Sequence, residues 1–158
     1  MTEPAFDELL KRLAAAEAKF VVVGGLAVGA WGVVRATKDV DVVISPEPEN
    51  LRRVAEVAVG ANGRVHLGET LLGSLPSIAS ALASGDQVAI ETDLGRLDVV
   101  QGLDGVPTYD ELRSRATQAD LLGVTVLITS IEDLKAMKRA AGRTRDLADL
   151  EDLESAND

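Results

Sequence analysis

Asp39-Val40-Asp41-Val42-Val43-Ile44 is the segment that most restricts what this chain can become. Its β-branched residues, stopped by Pro46 and Pro48, predict a strand. Successive strand side chains point to opposite faces, so Asp39 and Asp41 share one face at a spacing of roughly 6.6–6.8 Å. Val40 and Val42 share the other face and call for burial. Any sheet holding this strand must therefore cover one side with apolar groups and leave room for two like charges on the other. Paired carboxylates repel each other unless a cation sits between them. Alone, an Asp-x-Asp pair is equally compatible with a solvated edge.

A third acid strengthens the pattern. Asp98 lies at the centre of Arg96-Leu97-Asp98-Val99-Val100, a second apolar strand in which an unpaired charge is expensive to bury. The plain alternative is that Asp98 pairs with Arg96 or Arg35. If the two strands are neighbours, three carboxylates converge, an arrangement suited to two-metal phosphoryl or nucleotidyl transfer. The acid nearest the acceptor can also receive its proton.

The remaining elements read as a mixed α/β (α+β) chain. Phe6, Leu9, Leu10 and Leu13 recur at helical spacing, and Phe20 to Val23 is a short buried strand ended by Gly24-Gly25. Helices are expected over Leu26 to Val34, Leu51 to Val59 and Tyr109 to Ala116. Others are expected from Ser130 to about Ala141 and from about Arg145 to Leu153. Gln87 to Thr92 and Arg96 to Val100 flank Asp93-Leu94-Gly95, a hairpin signal, and Val124 to Ile128 reads as a strand. The stretch 61–85, broken by Gly, Ser and one Pro, is the least legible, with a helix suggested at Ile78 to Ala83. Strands and helices interleave without strict alternation, which favours a small mixed sheet over a doubly wound parallel one. No linker divides the chain, so residues 1–158 read as one domain with its core over about 20–153.

Composition bounds the partners. The chain has 158 residues, 16 Lys plus Arg and 26 Asp plus Glu, for a net charge of -10. Gripping nucleic acid over a wide face needs a positive field, so a broad DNA-binding face is not expected. A small basic site for one triphosphate or one nucleic-acid end is still compatible. Part of the acidic excess lies in Asp146, Asp149, Glu151, Asp152, Glu154 and Asp158, which read mainly as a solvated helix and tail. With no cysteine, disulfides, thiolate zinc sites and a cysteine nucleophile are all excluded. Neither a membrane span nor a signal peptide is evident, so a cytoplasmic protein is expected.

Other candidates surround the acids. Gly24-Gly25, between a strand and a helix, lets backbone approach a phosphate, although neither G-x-G-x-x-G nor a P-loop is present. Lys138 falls on the core side of its helix, between snorkelling and reaching into a site. Arg143, Arg145 and Asp146 follow and are placed for an ion pair, while Arg35 and Thr37 precede the paired acids. His66 reads as structural, and Trp31 and Tyr109 read as core.

Taken together, Gly24-Gly25, then Arg35 and Thr37, then Asp39-Val40-Asp41 resemble the signature of DNA-polymerase-β-like nucleotidyltransferases. The chain is most similar to the minimal bacterial and archaeal members, including AbiEii-type toxins. The resemblance extends to Gly95-Arg96-Leu97-Asp98-Val99-Val100 and to the block from Ser130 through Lys138 to Arg143 and Asp146. It implies a small twisted mixed sheet with flanking helices, and transfer of a nucleoside monophosphate from an NTP with release of pyrophosphate. Asp39, Asp41 and Asp98 would hold Mg2+ (or Mn2+) and carry catalysis. Gly24, Gly25, Arg35, Thr37, Lys138 and Asp146 would bind the nucleotide, with Lys138 on the triphosphate. The acceptor would be a tRNA end, a protein or a small molecule, and a cognate toxin or antitoxin protein is a possible partner. Many relatives carry Gly-Ser where this chain has Gly24-Gly25. A regulatory, non-catalytic member of the same fold is the alternative, against which the intact acids speak. The D-x-D-x-[TV] pattern of haloacid dehalogenase phosphatases is disfavoured because Arg35-Ala36-Thr37-Lys38, not an apolar strand, precedes the acids.

Overall fold

The computed structural model describes residues 4–34 and 36–157. Its strands are β1 (Phe20–Val23), β2 (Asp39–Ile44), β3 (Val65–Leu67), β4 (Thr70–Leu72), β5 (Val88–Thr92), β6 (Gly95–Val99), β7 (Thr117–Leu121) and β8 (Val124–Ile128). Its helices are α1 (Phe6–Ala15), α2 (Gly24–Ala30), α3 (Pro48–Gly60), α4 (Leu75–Ala83), α5 (Tyr109–Arg115), α6 (Ile131–Ala141) and α7 (Thr144–Ala156). Six strands form one mixed sheet in the order β5-β6-β2-β1-β8-β7, and β3 pairs with β4 in a separate hairpin. β1 runs antiparallel to β2, and β2 runs parallel to β6. The mixed architecture expected from the sequence is the one observed.

Strand alternation divides the apolar residues between two faces. Phe20, Val22, Val40, Val42, Ile44, Leu97 and Val99 pack on one side against Leu9, Leu10 and Leu13 of α1, Leu51, Val54 and Ala58 of α3, and Ile78 and Leu82 of α4. Burying this many aliphatic groups, each worth about 1.5–3 kcal/mol relative to exposure, is the main source of stability in a chain with few aromatics. On the opposite side, Val21, Val23 and Val43 lie beneath Tyr109 and Leu112 of α5. Asp39, Asp41 and Asp98 face that second side by parity. Ala27 and Val28 of α2 pack against Leu134 of α6 and Leu153 of α7, closing the flank.

Several boundaries differ from the sequence expectation. α2 begins at Gly24 and ends at Ala30, short of the expected Val34, because Gly32 takes a left-handed φ of +99° that stops the helix. Segment 61–85 holds the β3–β4 hairpin and α4, the helix starting at Leu75 with the Ser74 hydroxyl accepting from the Ser77 amide. β7 is an added edge strand, joined to β8 through Leu122 and Gly123 at φ +55° and +84°. A two-residue turn with both residues left-handed is a hairpin turn, but Leu-Gly lacks the usual Asn or Asp signal. α7 extends to Ala156, past the expected Leu153. Trp31 is half-buried rather than core, donating its indole N–H to the Thr129 carbonyl at 3.0 Å. Tyr109 is buried as expected, whereas His66 is exposed on β3.

Candidate active site

The parallel register of β2 and β6 places Asp41 directly beside Asp98 and Asp39 beside Arg96. Each of Asp39, Asp41 and Asp98 offers a carboxylate oxygen, and these oxygens lie within 4.8 Å of one another. The three acids singled out in the sequence are thus brought to one point. Asp98 is buried and accepts the Arg96 Nε–H at 2.8 Å, so the expected Arg96 pairing and the acid cluster coexist.

The cluster carries electrostatic tension. Burial, then the charges of Asp98 and Asp39, push the Asp41 carboxyl up to about 7. Asp39 is raised as well, by burial and by Asp98, with Arg96 and Arg145 opposing the shift. Three carboxylates converging on one point are a donor set that fits a hard divalent cation. Such an ion would relieve the repulsion among them.

Gly24 and Gly25 sit at the mouth of the cluster, at the end of β1 and the start of α2. Gly24 has φ +66°, and a Cβ there would lie 2.7 Å from Asp41 Cγ and 2.8 Å from its Cβ. A Cβ on Gly25 would meet Thr37 Oγ1 at 2.7 Å. Thr37 in turn donates its hydroxyl to the Asp39 carbonyl at 3.0 Å, which fixes the approach to β2. Both glycines are therefore required by close packing on the two residues that frame the acids.

These groups line a cavity of about 530 Å3. Gly24, Gly25, Thr37, Asp39, Asp41, Asp98, Lys138 and Asp146 all contribute to its wall, joined by Lys38, Arg96, Arg143 and Arg145. Arg35 lies outside the described residues. An apolar side of the same cavity comes from Val100, Leu103, Val106, Leu134 and Met137.

Lys138 is buried where α6 meets α7, its ammonium 3.3 Å from Asp146 Oδ1 and 3.0 Å from Asp149 Oδ2. Arg143 donates its backbone N–H and its Nε to Asp146 Oδ2, at 3.2 and 2.7 Å. Burial alone raises the Asp146 carboxyl, but the bonds from Arg143 and the charge of Lys138 outweigh it and leave it below the usual range. The ion pair expected around Asp146 is present. Asp146 and Asp149 are buried, however, not part of the solvated acidic face expected for this helix. The signal was there to read: Asp146, Asp149, Leu150 and Leu153 follow the i, i+3, i+4, i+7 stripe of a buried helix face. Asp133 gives its backbone N–H to Ser130 Oγ while its carboxylate holds Arg115 across to α5.

The fold is shared with solved nucleotidyltransferases. A lincosamide antibiotic adenylyltransferase, LnuA, in its lincomycin-bound form, aligns over 99% of both chains at 12% identity and a TM-score of 0.67. A candidate nucleotidyltransferase from Thermotoga maritima aligns over 95% of this chain and 90% of its own, at 14% identity and a TM-score of 0.58. ANT(2")-Ia, solved with adenylyl-2"-tobramycin, covers 95% of each chain at 15% identity and a TM-score of 0.50. At such identities the likeness is one of fold. No curated protein matches in sequence. A family model described as a nucleotidyltransferase of unknown function (DUF6036) matches residues 4–157, and the chain belongs to that family.

Proposed function

We propose that this nucleotidyltransferase moves a nucleoside monophosphate from an NTP onto the hydroxyl of a small-molecule acceptor, with a divalent cation, Mg2+ or Mn2+, at Asp39, Asp41 and Asp98. The observation that carries the reading is the convergence of the three carboxylates beside Gly24 and Gly25, in the wall of a pocket that Lys38 and Arg145 also line. The bound metal would neutralise charge on the phosphates and on the acceptor oxygen. Gly24 and Gly25 present backbone N–H groups to the phosphates at the start of α2, and the Thr37 hydroxyl stands beside them. Asp98, kept in place by Arg96, takes the proton from the acceptor hydroxyl. The acceptor oxygen bonds to the α-phosphorus, the bond from that phosphorus to the bridging oxygen breaks, and pyrophosphate leaves with the electron pair. Lys138, held by Asp146, fixes the far wall.

Two observations favour a small acceptor over a tRNA end. The chain carries a net charge of -10, which repels a polyanion. Among the described residues no aromatic side chain lines the pocket, whereas single-stranded nucleic acid is usually held by stacking on aromatics. Two of the similar structures were solved with a small molecule, lincomycin in one and adenylyl-2"-tobramycin in the other, which supports the same choice.

The test supplies each of four α-phosphate-labelled NTPs with Mg2+ and fractions of a bacterial extract separated into small molecules, RNA and protein. Label moving to the small-molecule fraction, and lost with Asp41→Asn, is the expected result. Label on RNA or protein would overturn the acceptor class, and no transfer to any fraction would count against the activity.

A further inference from the structure

Among the described residues, five cationic side chains line the pocket: Lys38, Arg96, Lys138, Arg143 and Arg145. Three are already neutralised where they stand. Arg96 is bound to Asp98 at 2.8 Å, Arg143 to Asp146 at 2.7 Å, and Lys138 to both Asp146 and Asp149. Lys138 is also 9% exposed, and its partners are 0% and 6% exposed, so the ammonium is enclosed by two carboxylates inside the α6–α7 joint. Pulling it out to a ligand would break two buried charge pairs, which is costly.

Arg145 is placed differently. It is the second residue of α7, exposed, and among the described residues it makes no ion pair. Its charge is nonetheless felt at Asp39 across the cavity. The α7 backbone beneath it is held by the buried Lys138, Asp146 and Asp149 group, so a flexible guanidinium projects from a fixed base. Among the described residues Lys38 is the other lining cation without an ion pair, but it sits in the exposed bend before β2 and not on a helix tied to the buried Lys138 group.

We infer that Arg145 is the side chain that grips the triphosphate of the incoming nucleotide, and that Lys138 is a structural tie which positions α7 for this contact. The assignment rests on the reading of the site as an NTP site. A guanidinium fork suits phosphate oxygens, and it can close on them without dismantling any pair seen in the protein. The expectation that Lys138 itself contacts the triphosphate is replaced by this division of roles.

The test is titration calorimetry of wild type, Arg145→Ala, Arg145→Lys and Arg139→Ala with MgATP, MgGTP, MgCTP and MgUTP, and with the four monophosphates. Arg139 is exposed on α6 and does not line the pocket, so its variant reports general loss of charge. Arg145→Ala is expected to weaken binding of the preferred triphosphate about tenfold, the size of one lost charge-assisted bond. Monophosphate binding and the Arg139→Ala variant should be unchanged, and Arg145→Lys should recover part of the loss. Wild-type affinity in Arg145→Ala, or an equal loss for the monophosphate, would overturn the assignment and leave the NTP reading standing. Wild type that binds none of the triphosphates would overturn both.

Discussion

Asp41 of β2 and Asp98 of β6 are direct neighbours across two parallel strands, with Asp39 completing a cluster in which burial and like charge push the Asp41 carboxyl up to about 7. This has a consequence for stability. The Asp41 carboxyl titrates near 7 in the folded protein and near 3.8 when unfolded, so between those values the folded state binds the extra proton. Folding is then favoured by this group at low pH, and the advantage is lost as pH rises from about 4 to about 7. Thermal unfolding in EDTA should show a melting temperature that falls between pH 5 and pH 8. Asp41→Asn should flatten that fall and melt higher than wild type at pH 8. A melting temperature that rises over the same window would contradict the account.

Gly24 is fitted against Asp41. Its φ of +66° is strained for any residue with a Cβ by about 1–2 kcal/mol, and that Cβ would overlap the Asp41 carboxylate. Gly24→Ala should therefore destabilise by about 1–3 kcal/mol and remove nucleotidyl transfer through displacement of Asp41. Denaturant unfolding and the labelled-NTP assay read the two effects separately.

Gly25 is matched to the Thr37 side chain in the same way. Gly25→Ser should weaken activity because the new Cβ meets Thr37 Oγ1 at 2.7 Å. Adding Thr37→Ala should recover much of the loss, a coupling that a double-mutant cycle measures directly. Additive losses would show that the two positions act independently.

Asp146 is buried with two cationic partners, and removing it deprives Arg143 of its ion pair and leaves the buried Lys138 with Asp149. Asp146→Ala should destabilise by about 3 kcal/mol or more, seen as a lower midpoint in urea unfolding. Because the pair is within the α6–α7 joint, high salt should do little to mask the effect. A change under about 0.5 kcal/mol, the range of ordinary surface substitutions, would contradict its structural role.

Much of this was legible because β2 and β6 combine strand chemistry with misplaced acids, and strand parity alone put Asp39 and Asp41 on one face. The convergence with Asp98 needed the β2–β6 pairing, which no local pattern encodes. β7 escaped because Thr117-Gln118-Ala119-Asp120 is a polar edge and its turn is Leu-Gly. The β3–β4 hairpin escaped because three-residue strands with exposed His66, Leu67 and Leu71 show no core alternation. Acid-rich spelling hid Asp146 and Asp149, whose helical spacing with Leu150 and Leu153 marked the buried face.

The central claim is that the three carboxylates load an NTP with a divalent cation, and thermal unfolding tests it most directly. Wild type and Asp98→Asn would be melted with each of the four NTPs, with and without Mg2+. At ligand about a hundred times its dissociation constant, wild type should gain about 5–10 °C with at least one NTP, only when Mg2+ is present, and Asp98→Asn should gain nothing. Equal stabilisation of the variant, or a gain that ignores Mg2+, would contradict the account.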